Sequence, residues 1–270
     1  MEQELKENGF FITPVLESSE IQNAIDLVQA IPFKQKREGF KNIVHLDSYN
    51  DRKAIHRAIV NLLYPRIEAL FSGYVPFIGS FAIKYQSETN NVPLHLDWSV
   101  LDEQVATSYN IWIPLQDVHE QNGCMGLLEK SHRFKPTIRG SLINHIATTE
   151  YCDQPILACM LKTYQNQTLP MKAGEALIYN HRMAHYSHPN FQEEPRLAIS
   201  MVIVPRGTSP IHYHFEKDQS VSIFKSNTEF YLTYDMKSYP GDYLQKIGSI
   251  PGCDFGSLEN QLDPLIYVGL

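Results

Sequence analysis

The chain has 270 residues, of which 43% are hydrophobic and 20% are charged, as is typical of a globular protein with a buried core. Its formal net charge of −7 argues against a nucleic-acid partner, because such surfaces need clustered Lys and Arg side chains. No run of about 18 apolar residues is present, so we expect no membrane span.

The cysteines and the N-terminus indicate the cellular compartment. None of the four cysteines, at positions 124, 152, 159 and 253, forms a C-x-x-C pair. The first residues carry charges of both signs and lack the apolar run of a secretory signal. We therefore expect a reduced, cytoplasmic protein. The sequence does not indicate an oligomeric state.

The first 65 residues combine a strand with two helices. Residues 9–16 predict a short strand. Ser19 and Gln22 have the spacing of a capping box, which predicts the start of a helix. A second helix is predicted to be capped by Asp51 and to kink or stop at Pro65.

From residue 75 onward the pattern is mainly that of β-strands. Strands are predicted over 75–85, 109–115, 124–128, 176–180 and 196–204. Residues 133–169 are predicted to be an irregular polar insertion, and the tail over 206–270 mixes aromatic residues with Pro and Gly. The absence of regular βαβ alternation predicts one α+β, mainly β domain over 1–270, with a sandwich, barrel or jelly-roll core.

His95 and Asp97 are the first candidate functional residues. Side chains alternate along a strand, so two residues that lie two positions apart are expected to point the same way. An imidazole and a carboxylate aimed at one point are two members of the 2-His-1-carboxylate triad that binds non-haem Fe(II). An isolated H-x-D motif is also compatible with a simple hydrogen-bonded pair at a strand end.

Two further features are suggestive but not decisive from residue types alone. The second histidine of a triad could be any of His181, His185 and His188, which lie in one short stretch. Arg196 opens an apolar strand, where a charge is costly unless it is paired. Its alternative interpretation is an arginine at a strand edge whose charge reaches solvent.

Together these motifs resemble the phytanoyl-CoA dioxygenase family of Fe(II)/2-oxoglutarate-dependent oxygenases. The resemblance covers residues 8 to about 205 in order, and the last 65 residues carry no motif. The matching motifs are Asn8-Gly9-Phe10, His95-Leu96-Asp97, Asn122-Gly123, Ser131-His132, His185-Tyr186-Ser187 with Asn190, and Arg196. The resemblance implies a double-stranded β-helix (jelly-roll, cupin-like) core with flanking N-terminal helices and a C-terminal extension over 206–270.

The resemblance also implies the ligands of the site. His95, Asp97 and His185 would bind Fe(II), which leaves room for bidentate 2-oxoglutarate and then for O₂. Arg196, with Ser187, would bind the distal carboxylate of 2-oxoglutarate, since arginine stays charged when buried and matches a carboxylate bidentately. Asn110 is a further candidate for binding 2-oxoglutarate or substrate.

Other residues are candidates for the substrate pocket or for a second site. The pocket candidates are Trp98, Trp112, Lys84 and His181, although core packing explains the tryptophans equally well. His212 and His214 form a second His-x-His pair. Because no carboxylate pattern accompanies that pair, we favour packing in an aromatic strand over a second metal site.

The expected activity is oxidation of a small-molecule metabolite. The resemblance implies hydroxylation of an amino acid, natural-product intermediate or acyl thioester, with release of succinate and CO₂. Asp97 stands where related halogenases have a small residue, which favours oxygenation over halogenation. The rivals are a redox-silent cupin-like metalloenzyme of the isomerase type and a non-catalytic binding protein. Basic residues within 34–41 would suit the phosphates of an acyl-CoA, although a solvated basic face is the simpler interpretation.

Overall fold

In the computed structural model, the described residues are 1–31, 38–43, 46–134, 138–142, 154–218, 220–234 and 238–251. Within these ranges the helices are α1 (Glu2–Glu7), α2 (Ser18–Gln29), α3 (Tyr49–Leu70), α4 (Gln154–Thr163) and α5 (Thr228–Thr233). The first seven strands are β1 (Phe10–Pro14), β2 (Phe40–Asn42), β3 (Tyr74–Lys84), β4 (Val92–His95), β5 (Tyr109–Pro114), β6 (Met125–Leu128) and β7 (Ser141–Leu142). The others are β8 (Asn166–Leu169), β9 (Glu175–Asn180), β10 (His185–Ser187), β11 (Arg196–Pro205), β12 (Ile211–Phe215), β13 (Val221–Lys225) and β14 (Gln245–Ile250).

Two antiparallel sheets form the core of the protein. The larger has the strand order β1-β9-β5-β11-β3-β2, and the smaller has the order β4-β10-β6-β8. The longest pairing in the larger sheet, between β11 and β3, runs from Arg196 opposite Lys84 to Pro205 opposite Tyr74. This is the double-stranded β-helix architecture that the family resemblance implies, with few helices outside the sheets.

The two faces of the larger sheet have different partners. On the outer face, Ile111, Ile178 and Ile199 pack against Ile59 and Leu63 of α3. Each fully buried aliphatic side chain of this kind contributes about 1.5–3 kcal/mol. On the inner face, buried side chains such as Trp112 and Leu177 join residues of the smaller sheet in a second cluster. Strand alternation therefore directs one set of side chains to the helices and the other to the space between the sheets.

The predicted helix starts need correction. Glu17, rather than Ser19, is the N-cap of α2, and Glu20, rather than Gln22, completes the capping box. Helix α1, before this, was not predicted. The hydroxyl of Ser48 caps α3 by accepting a hydrogen bond from the Asp51 backbone N–H at 3.3 Å. Asp51 instead lies in the first turn, where its charge favours the positive end of the helix.

Pro65 does not stop α3, which continues to Leu70. Proline removes one backbone donor from the helix and crowds the preceding turn. Leu63 and Ile67, on either side of Pro65, are buried in the core between the helix and the larger sheet. This packing holds the last turn in place.

The predicted irregularity of 133–169 is wrong for the part that is described, and for the tail no element bounds were predicted. α4 and β8 lie in the first segment, and the tail supplies three strands of a third sheet of order β14-β13-β12-β7. All five residues of β12 are buried, although in its sequence Ile211, Tyr213 and Phe215 alternate with His212 and His214. Residues 143–153 and 252–270, and the basic 34–37, lie outside the described residues. No helix among the described residues is long and apolar enough to cross a membrane.

Candidate metal centre and cosubstrate pocket

The side chains of His95, Asp97 and His185 converge between the two sheets. Their ligand atoms all lie within 4.8 Å of one another, and in the described part of the chain this is the one such group that could hold a metal ion. Nε2 of His95 is 3.6 Å from Oδ1 of Asp97, and Nε2 of His185 is 3.7 Å from Oδ2 of Asp97. The two histidines are direct partners in the β4–β10 pairing. The alternatives His181 and His188 are not members of the group.

Main-chain carbonyls fix which nitrogen of each imidazole faces the centre. Nδ1 of His95 lies 2.8 Å from the carbonyl oxygen of Pro93, and Nδ1 of His185 lies 3.0 Å from that of Met183. A carbonyl oxygen only accepts hydrogen bonds, so both Nδ1 atoms carry the proton. When the imidazoles are neutral, both Nε2 atoms therefore present lone pairs toward the centre, as metal-binding histidines require.

The imidazole of His185 is neutral, and the carboxylate of Asp97 beside it is ionised. Burial acts to raise the pKa of Asp97, but His185 and His95 together outweigh it and hold that pKa well below its usual range. Burial, reinforced by His95, lowers the pKa of His185 to about 4. The Asn110 amide also donates to Oδ2 of Asp97 at 2.8 Å. This donor set fits a divalent first-row metal such as Fe(II).

A cavity of about 340 Å³ adjoins the three convergent side chains. Residues of both sheets line it, among them Phe40, Asn42, Trp112, Tyr179, Tyr186 and Ser200. The predicted residues Ser187 and Arg196 also line it. The sheets thus place the candidate metal centre at the wall of a cavity between them.

Two buried cations lie together beside this cavity, and one of them, Arg196, lines it. Arg196 and Lys84 are direct partners across the β11–β3 pairing and are 1% and 0% exposed. Burial lowers the pKa of Lys84 to about 7 and that of Arg196 to about 10, and no described carboxylate acts on either. Arg196 donates from Nη1 to the Ala82 carbonyl at 3.0 Å, but its Nε has no partner. A ligand carboxylate would satisfy this charge.

The predicted Asn122-Gly123 turn leaves room for the side chains of Lys84 and Arg196. Gly123 has a φ of +82°, a conformation that side chains other than glycine rarely adopt. A Cβ at this position would lie 3.0 Å from Cδ of Lys84 and 3.7 Å from Nε of Arg196. The glycine therefore allows the main chain to pass directly over both cations.

Of the remaining residues predicted for the pocket, the structure brings some to the cavity and places others outside it. Trp112 lines the cavity, with the Arg196 guanidinium 5.2 Å from its ring centroid. Lys84 does not line the cavity but donates a hydrogen bond to the lining residue Ser187. Trp98 is not brought to the cavity, and its ring packs 5.5 Å from that of His212. His181 is also outside the lining, and its Nε2 donates to the Trp98 carbonyl at 2.8 Å. Asn110 contacts Asp97, while a role in binding 2-oxoglutarate stays a prediction.

Tyr179 is a residue of the site that the sequence analysis missed. It lines the cavity, and its ring centroid lies 5.1 Å from that of His185. Burial raises the pKa of its phenol well above the ordinary value, so the group is neutral. Alternation along the predicted strand 176–180 was the available signal, because it places Tyr179 on the face opposite Ile178.

His212 and His214 are packed as we favoured from the sequence. Each ring lies 2.8 Å from the hydroxyl oxygen of Ser141, and Nδ1 of His212 lies 3.1 Å from the Tyr231 hydroxyl. Burial lowers the pKa of His212 to about 3. These are neutral groups of a buried hydrogen-bond network in the third sheet.

Comparison with known proteins identifies the family. Residues 15–198 match the phytanoyl-CoA dioxygenase (PhyH) family. The chain belongs to this family. As a phytanoyl-CoA dioxygenase family protein, it shares the double-stranded β-helix core described above. No curated protein sequence matches it.

Solved structures resemble this family member in fold at low sequence identity. The epimerase SnoN in complex with Fe³⁺, α-ketoglutarate and nogalamycin RO is 18% identical, with a TM-score of 0.58, over 98% of this chain and 95% of that one. The carbocyclase SnoK from nogalamycin biosynthesis is 16% identical, with a TM-score of 0.57, over 78% and 84%. EvdO2 from Micromonospora carbonacea var. aurantiaca, complexed with 2-oxoglutarate, is 19% identical, with a TM-score of 0.51, over 78% and 90%. These similarities establish the common fold.

Proposed function

We propose that the protein is an Fe(II)- and 2-oxoglutarate-dependent oxygenase that hydroxylates a C–H bond of a small-molecule metabolite. The carrying observation is that a two-histidine, one-carboxylate group and the buried Arg196, which has no carboxylate partner among the described residues, line one cavity. A facial set of three protein ligands leaves metal positions open for a 2-oxo acid and O₂. His95, Asp97 and His185 would hold the iron.

The cation end would bind the distal carboxylate of 2-oxoglutarate. Arg196 offers an unpartnered Nε, and Lys84 already donates to the Ser187 hydroxyl at 2.6 Å. Trp112 forms the adjoining wall and stacks on the guanidinium. When bound, iron, 2-oxoglutarate and O₂ supply the oxidising chemistry, with succinate and CO₂ as co-products. The protein orients the reactants and excludes water.

The rest of the cavity favours a neutral substrate. Among the described lining residues, Asp97 and Arg196 are the ones that carry a full charge, and both are assigned to iron and cosubstrate. Phe40, Asn42 and Ser200 offer an apolar ring and neutral polar groups. An acyl-CoA would need a basic mouth for its phosphates. We therefore favour a neutral natural-product intermediate or a similarly small metabolite over a thioester of coenzyme A.

The rival functions make different demands on these residues. A redox-silent isomerase would use the metal triad but has no need of Arg196 and Lys84 as carboxylate anchors. A non-catalytic binding protein would not need a metal centre. The carboxylate of Asp97 would occupy the position that a halide would need, which supports oxygenation rather than halogenation.

The direct test is a substrate panel incubated with the protein, Fe(II), 2-oxoglutarate and O₂. Succinate release that depends on a substrate is the expected result, with a product heavier by one oxygen atom in mass spectrometry. Loss of two hydrogens would indicate ring closure or desaturation, and an unchanged mass would indicate epimerisation. Absence of both 2-oxoglutarate binding and succinate release would refute the proposal.

A further inference from the structure

The main chain that carries Asp97 is not part of a sheet. Strand β4 ends at His95, and residues 96–99 have no strand pairing. The position of Asp97 therefore depends on contacts that other parts of the chain supply. A functional metal centre needs its ligands held within about 0.5 Å of their working positions.

Buried side chains hold two consecutive carbonyls of this loop. Arg139 donates from Nε to the main-chain oxygen of Asp97 itself. His181 donates from Nε2 to the main-chain oxygen of Trp98 at 2.8 Å. The Ser99 N–H in turn donates to the Arg139 carbonyl at 3.1 Å. Arg139 thus binds the loop through both its side chain and its main chain.

Glu103 fixes the Arg139 guanidinium. Nη1 of Arg139 donates to Oε2 of Glu103 at 2.8 Å, and Nη2 donates to Oε1. The two side chains are 1% and 4% exposed. A bidentate pair of this kind restricts both the position and the plane of the guanidinium. Nε of Arg182 lies a further 4.0 Å from Oε2 of Glu103.

Stability alone is a weak reason for such a pair. Buried ion pairs can often be replaced by apolar side chains of similar volume without loss of stability, because desolvation offsets the attraction between the charges. The pair does, however, direct one N–H donor at the main chain of the candidate metal ligand. Glu103 itself follows the same loop by only a few residues, so the Arg139–Glu103 pair connects both ends of this short segment.

We propose that Arg139 and Glu103 are a positioning pair that sets the location of Asp97 as a metal ligand. The inference rests on the proposed metal centre and extends it to two residues outside all the sequence motifs. Without the pair, Asp97 shifts relative to His95 and His185, and metal binding weakens. The cation end of the cavity is unaffected, because neither Arg196 nor Lys84 contacts the pair.

The main test is the double variant Arg139→Met/Glu103→Leu. It removes both charges of the pair together, so neither Arg139 nor Glu103 is left as a buried charge without its partner. Co(II) replaces iron as the probe, since its affinity follows from calorimetry and its visible spectrum reports ligand geometry. We expect affinity weaker by about 10–100-fold, as for other partners that orient metal ligands, with altered absorption bands. Circular dichroism checks that the variant is folded.

Leu63→Ala is the matched control for general destabilisation. Leu63 is fully buried on α3, in the cluster on the outer face of the larger sheet. We expect this variant to lower the melting temperature and to leave Co(II) affinity and spectrum unchanged. If it weakens Co(II) binding as much as the double variant does, the effect is general and the positioning role is refuted.

Arg139→Lys keeps the charge opposite Glu103 but loses the guanidinium fork and its Nε donor. We expect a smaller loss of Co(II) affinity than in the double variant. If the double variant does not fold, this variant decides the question by the same readouts. Wild-type affinity and spectrum in the folded variants would overturn the positioning role. Absence of Co(II) binding by the wild-type protein would instead refute the metal centre itself.

Discussion

Nζ of Lys84 lies 2.6 Å from the hydroxyl oxygen of Ser187 and donates a hydrogen bond to it. Lys84 belongs to the larger sheet and Ser187 to the smaller one, two residues beyond the candidate metal ligand His185. The bond therefore connects the buried cations of the larger sheet to the strand that carries a candidate metal ligand. The proposed cosubstrate site and the candidate metal centre share strand β10 in this arrangement.

Binding of 2-oxoglutarate should take up a proton at Lys84. Burial, with a contribution from Arg196, lowers the pKa of Lys84 to about 7, so at pH 8 its amine is mostly neutral in the free protein. A bound carboxylate favours the charged form and raises that pKa. We expect uptake approaching one proton at pH 8 and little at pH 6, measured by calorimetry in buffers of different ionisation enthalpy. Lys84→Met should abolish this uptake, and equal uptake at both pH values would contradict the assignment.

Replacing Arg196 by Met should weaken 2-oxoglutarate binding. Truncating one partner of a buried charge pair costs about 2–5 kcal/mol, which corresponds to at least about a 30-fold increase in Kd. Co(II) binding without 2-oxoglutarate should persist, because Arg196 does not contact the metal group. Arg206→Met is the control, since Arg206 is 58% exposed and pairs only with the surface residues Glu68 and Tyr64. Unchanged 2-oxoglutarate affinity in Arg196→Met would place the cosubstrate elsewhere.

Asp97→Ala should abolish metal-dependent turnover. Loss of a direct ligand is expected to exceed the 10–100-fold effect of losing an outer partner, so metal affinity should fall by more than about a hundredfold. Calorimetry with Ni(II) and a succinate assay measure the two effects. Asp117→Ala is a suitable control, because Asp117 is exposed and pairs with Lys172. Turnover that survives in Asp97→Ala would show that the carboxylate ligand is misassigned.

Metal affinity should fall as the pH is lowered, because binding of each metal ion displaces one proton from the site. Burial lowers the pKa of His95, but its hydrogen bond with Asp97 and the charge of Asp97 outweigh this and raise it above the ordinary value. A proton on His95 therefore competes with the metal, whereas His185, with a pKa of about 4, is already neutral. Below the His95 pKa, affinity should drop about tenfold per pH unit down to pH 5. Calorimetric titrations at several pH values give the slope, and a two-proton slope would contradict the neutrality of His185.

The metal group was partly predictable from the sequence. His95 and Asp97 could be paired because strand side chains alternate, although Asp97 proved to lie beyond the end of the strand. His185 could not be chosen over its neighbours from residue types alone. What selects it is the pairing of β10 with β4, which places His185 opposite His95. That pairing joins segments 90 residues apart, and only the family resemblance gave access to it.

Other features depended on contacts that no local pattern records. Arg139 and Glu103 are separated by 36 residues, and neither belongs to a motif. Strand β12 has the alternating sequence of a half-exposed strand, yet the third sheet buries both of its faces. Conversely, Arg196 was a candidate from its position, because a charge at the start of an apolar strand is costly without a partner. The choice of a ligand carboxylate over solvent as that partner came from the family resemblance, and the burial of Arg196 required the tertiary structure.

The acceptors that orient His95 and His185 have an evolutionary consequence. In each case the acceptor is the main-chain oxygen of the residue two positions earlier, Pro93 or Met183. Side-chain replacement at either position leaves that oxygen in the chain. The tautomer of both imidazoles is therefore insulated from mutation, and the sequence around the cavity can diversify toward new substrates while the metal-facing nitrogens stay the same.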